Sequence, residues 1–135
     1  MKFSPVYLAN EIFEPIELTD NKVKTIYMSR SIWNKFFDSD KPNHVFDLNT
    51  NVMFHDGVCL VASLWGADIK VMLNINPNNI KVTDTLGHEF NYCIICSHYC
   101  KKPENVIGNG DGPIESDGDH KCPTKLCIVK EILEQ

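Results

Sequence analysis

Val58-Cys59-Leu60-Val61-Ala62-Ser63-Leu64-Trp65-Gly66-Ala67-Asp68-Ile69-Lys70-Val71-Met72-Leu73-Asn74-Ile75 decides how the first two thirds of the chain are read. From Asp68 onward Ile69, Val71, Leu73 and Ile75 alternate with Lys70, Met72 and Asn74, a period of two that predicts a strand with one face on a core. The run 58–65 lacks that alternation and reads as a buried central strand, with Cys59 in the core. Gly66-Ala67-Asp68 predicts a hairpin between the two strands. Asn76-Pro77-Asn78-Asn79 then turns the chain into a further strand at Ile80-Lys81-Val82.

Short runs rich in branched and aromatic residues at 6–8, 23–28, 45–48 and 52–54 extend the β reading towards the N-terminus. One early helix interrupts it. Ser29 or Ser31 can accept from the first orphan amides, Ile32, Trp33, Phe36 and Phe37 form the apolar stripe, and Asp38-Ser39-Asp40-Lys41-Pro42-Asn43 ends it. A second helix is expected at the C-terminus, with Thr124 as its cap and Leu126, Val129, Ile132 and Leu133 on one face. Between residues 103 and 120 the glycines Gly108, Gly110 and Gly112 and the acids Glu104, Asp111, Glu115, Asp117 and Asp119 read as a long solvated loop. The expected fold class is α+β in a single domain, 1–135. A small antiparallel sheet or barrel with one early helix occupies a β-rich core, 1–87, and a zinc-stapled knuckle and helix occupy 88–135.

At 135 residues, with 43% hydrophobic content, the chain is long enough to bury one ordinary core. Its formal charge of −5 argues against strong nonspecific attraction to nucleic acid. The nearest basic cluster, Lys101, Lys102, Lys121, Lys125 and Lys130, is interleaved with acids. The apolar run 58–65 is too short to cross a bilayer, and Met1-Lys2-Phe3-Ser4-Pro5-Val6 lacks the order of a secretory signal. No membrane association and a cytoplasmic location are therefore expected. In that reducing compartment thiols serve as metal ligands, nucleophiles or small hydrophobes. In an exported chain the six cysteines would suit three disulfides instead.

Five of the six cysteines fall in the last third, as Cys93, Cys96, Cys100, Cys122 and Cys127. A C-x2-C pair in a strand-turn can point backbone amides at thiolate sulfur. A second pair at the start of a helix gains from the positive end of the helix dipole, which favours thiolate. Cys93 and Cys96 suit the first role, Cys122 and Cys127 the second. Together they are the predicted ligands of one structural zinc, with His120 or Cys100 as replacements for Cys127 and His88 and His98 as further reserves. The order of knuckle, loop and helix-borne ligands resembles the treble-clef and related zinc-finger arrangement. The chain departs from it in the four residues between Cys122 and Cys127. Four protein ligands would close the site, so the zinc is expected to brace the fold without activating water.

Other chemistries fit less well. If 88–101 were helical, Cys93, Cys96 and Cys100 would share a stripe and pack as core. A redox dithiol at Cys93 and Cys96 lacks the βαβ context, and an iron–sulfur run lacks a proline directly after Cys100. Gly87-His88-Glu89-Phe90 has Tyr92 where H-E-x-x-H needs a second histidine, and His88 and Glu89 read as loop residues. The acidic loop matches neither a calcium loop nor a phosphate cradle, and no catalytic triad is recognisable. Trp33, Phe36, Phe37, Trp65, Tyr92 and Tyr99 are expected in packing rather than in a base-stacking platform. The expected function is a non-catalytic regulatory or inhibitory module that docks another protein. A nucleic-acid-binding zinc finger using the five lysines is the alternative.

Overall fold

The structure is a computed structural model that describes residues 3–95, 97–100 and 133. Residues 5–17 are helical. Arg30–Asp40 form a second helix, and the strands are β1 (Val23–Met28), β2 (Asp47–Leu48), β3 (Val58–Leu64), β4 (Ala67–Met72), β5 (Asn79–Asp84), β6 (Glu89–Cys93) and β7 (His98–Cys100). Among the described residues these strands make one seven-stranded sheet in the order β2-β3-β4-β1-β5-β6-β7. The α+β class holds, whereas the antiparallel sheet or barrel does not: the sheet is open and mixed, because β1 and β4 pair in parallel. A parallel pair needs a crossover, and helix Arg30–Asp40 supplies it, carrying the chain from β1 to the far edge so that β2, β3 and β4 meander back. No helix among the described residues is long and apolar enough to span a membrane.

The expected strand at 6–8 is helical instead. Ser4 caps the segment by accepting from Tyr7 N, Pro5 sits at the first turn, and Leu8, Ile12 and Ile16 repeat every four residues on a buried stripe. Leu8–Phe13 is π-helical, with Glu14 N bonding back to Ala9 O. Pro15 explains that widening: it has no amide to donate, and its ring would press on the carbonyl four residues earlier. The helix at Arg30–Asp40 forms as expected, with Ser29 Oγ accepting from Ile32 N and Ile32, Trp33 and Phe36 buried. Its terminal Asp40, also buried, accepts from Val45 N at 2.7 Å and Phe46 N at 3.0 Å and so folds the following loop.

The run 58–65 forms β3, but second from the edge rather than at the centre. Its missing alternation has a local cause: the register with β4 shifts between Leu60 and Ala62, and this bulge buries both Val61 and Ala62. The β3–β4 hairpin turns through Trp65 (φ 51°) and Gly66 (φ 85°), the two left-handed residues that a tight hairpin requires. Space around Gly66 is open, so Gly66→Ala isolates the backbone strain. It is expected to lower stability by about 1 kcal/mol in urea unfolding. Residues 52–54 form no strand. Ahead of them, Asn49 N donates to Val61 O and Asn49 Nδ2 to Leu60 O, extending the contact of β2 with β3.

The sheet continues past residue 87 into β6 and β7. This excludes a helix over 88–100 and with it the helical cysteine stripe. Phe90, Tyr92 and Tyr99 join Ile26, Ile69, Val82 and the helix residues in one continuous core, and Cys59 is buried there as expected. The loop 103–120 and the C-terminal helix lie outside the described residues, apart from half-buried Leu133, which packs against the core.

Candidate functional site

The β6–β7 hairpin positions the first predicted metal ligand. Cys93 ends β6, is 4% exposed, and stands opposite residue 98 in the ladder. Ile94 N donates to Asn78 O, and Ser97 N donates back to Cys93 O at 2.8 Å. Ser97 takes φ 58°, which lets the chain reverse within four residues. Cys93 therefore sits where strand becomes turn, the local setting that a C-x2-C knuckle needs. Cys96, Cys122, Cys127 and His120 lie outside the described residues, and for His98 and Cys100 the backbone pairing alone is described. No group of three or more metal-binding side chains occurs among the described residues. His88 is not brought to Cys93: it directly precedes β6 and Cys93 ends that five-residue strand, about 16 Å further along.

Tyrosines fasten this hairpin to the N-terminal helix. Wholly buried Tyr92 donates its hydroxyl to Glu11 Oε2 at 3.2 Å and lies 2.9 Å from the Tyr7 hydroxyl, while Tyr99 donates to Ile12 O at 2.9 Å. Burial, above all, pushes the pKa values of Tyr7, Tyr92 and Tyr99 upward, so all three remain neutral phenols.

A second polar constellation lies at the opposite end of β6. β5 ends in buried Asp84, whose Oδ1 accepts from Leu86 N at 3.0 Å and His88 N at 2.7 Å, closing a turn in which Gly87 takes φ 92°. Its Oδ2 accepts from Asn21 Nδ2 and lies 2.9 Å from His88 Nδ1. Burial alone would raise this carboxyl, but the His88 amide, the Asn21 amide and the His88 ring outweigh it and hold it below the ordinary value of 3.8. An ionised Asp84 only accepts, so Nδ1 carries the proton of this hydrogen bond and Nε2 is left for another partner.

His88 lines a cleft of about 860 Å³ with Asn10, Glu14, Asp20, Leu86 and Leu133. A buried aspartate orienting a half-exposed imidazole can support proton transfer or hydrogen bonding to a ligand. Thr19, a hydroxyl in the same lining, donates to Ile16 O at 2.6 Å and so is not held as a nucleophile for His88. The sequence signal for this constellation was Asp84 four residues before His88. Reading His88 as a loop residue missed it, because Asn21, the third member, is remote in sequence.

Across the sheet, exposed Leu48, Val52 and Phe54 line a groove of about 260 Å³ with Trp33 and Phe37, and the Arg30 guanidinium lies 5.4 Å from the centre of the Phe54 ring. Met53 and Leu60, also exposed, line a neighbouring depression. No family model, no curated protein and no solved structure matches the chain.

Proposed function

We propose that the chain is a non-catalytic regulatory or inhibitory module of the cytoplasm that docks another protein and whose C-terminal third is braced by one structural zinc. Its ligands are Cys93, Cys96, Cys122 and Cys127, with Cys100, His98 or His120 as replacements. The observation that carries the reading is the strand-to-turn setting of Cys93 in the β6–β7 hairpin, which a C-x2-C knuckle requires and a helix would not provide. The exposed apolar side chains around Phe54 support the protein-docking part, since contiguous apolar surface of this kind marks contact sites.

Affinity purification from the source cells, with wild type, Cys93→Ser and Phe54→Lys in parallel, tests it. The expected result is one protein retained by the wild type, reduced after chelation or in Cys93→Ser, and lost from Phe54→Lys. A nuclease-sensitive nucleic acid retained instead, and released when Lys101, Lys102, Lys121, Lys125 and Lys130 are neutralised, would replace this reading with the nucleic-acid one.

A further inference from the structure

We infer that the cleft beside His88 binds a small organic cation, a primary amine or a guanidine on a short aliphatic body. Three observations converge on that class. The cleft holds about 860 Å³, within the range of small-molecule sites. Its described polar lining residues are Glu14, Asp20, His88, Asn10, Thr19 and Asn21, two acids with no lysine or arginine among the described lining residues. Pro15, Leu18, Leu86 and Leu133 supply apolar surface in the same lining, which suits an aliphatic stem.

The imidazole is what turns this acidic surface into a defined site. Asp84 is fully buried, with Asn21 and two backbone amides fixing its orientation, and it holds His88 Nδ1 at 2.9 Å while the His88 side chain stays 36% exposed. Nδ1 donates to Asp84, which leaves Nε2 of the imidazole to accept an N–H from the ligand, whose positive charge Glu14 and Asp20 complement. An anionic ligand of the same length meets the opposite field. The site is independent of the proposed zinc, because His88 lies at the far end of β6 from Cys93.

Agmatine, which carries both an amine and a guanidine, is the probe, and hexanoate is the anionic control. Titration at pH 7.5 and low salt, followed by the imidazole nitrogen and amide resonances, is expected to give saturable shifts at His88, Leu86 and Asn21 with agmatine and none with hexanoate. His88→Gln and Glu14→Gln are each expected to weaken agmatine about tenfold, the equivalent of 1.4 kcal/mol. Glu14 is an exposed helix residue, so its variant keeps the test valid if His88→Gln disturbs the turn. Absence of saturable shifts with agmatine, equal binding of hexanoate, or unchanged affinity in both variants would overturn the inference.

Discussion

Asp84→Ala is expected to destabilise the fold by about 3 kcal/mol, one of the largest effects of any polar substitution in this chain. The side chain is buried, and its loss strands the amides of Leu86 and His88, the Asn21 side chain and His88 Nδ1, none of which alanine can satisfy. Urea unfolding at pH 7 checks the magnitude, and its pH dependence checks the cause. The folded carboxyl lies below its ordinary value of 3.8, so its contribution is present above that pH and is lost as pH falls through the lower folded value. The gap between wild type and Asp84→Asn should accordingly be present above that value and shrink as pH falls below about 4. A gap that persists unchanged at pH 2 would show that shape rather than charge holds this turn.

Phe36→Ala is expected to cost about 4 kcal/mol. Phe36 is fully buried in helix Arg30–Asp40, meets the Phe3 ring edge-on at 5.2 Å and lies 6.1 Å from the Tyr7 ring. Its removal opens a cavity where the two helices meet above the sheet, and the N-terminal segment has few other ring contacts with that helix. Hydrogen exchange of the residue 5–17 amides should accelerate more than that of β1 and β5. Uniform acceleration throughout would mean that the N-terminal helix is not held through this contact.

Elements that carry their own periodicity could be read from the sequence. The strand at β4, which stops at Met72 short of the expected Ile75, the Ser29-capped helix and the hairpin at Gly66 each follow from a few neighbouring residues, and each is present. Pairing across the chain could not be read in this way. The parallel β1–β4 contact depends on where a crossover helix delivers the chain, which nothing within β1 specifies. The short run 6–8 was ambiguous because branched and aromatic residues also suit a buried helix stripe. Ser4-Pro5 and the spacing of Leu8, Ile12 and Ile16 decide it. At the sites, the knuckle cysteines stand out by spacing, whereas Asn21–Asp84–His88 and Glu11–Tyr92 join residues 63 and 81 apart and exist as sites only after folding.

Zinc content of the reduced, folded protein, purified without added metal, tests the central proposal most directly when measured for wild type and Cys93→Ser together. The account predicts about one zinc per wild-type chain, weakened or lost in Cys93→Ser, with wild-type melting temperature falling on chelation. A folded, reduced wild type without zinc, or full retention of zinc by Cys93→Ser, would contradict it.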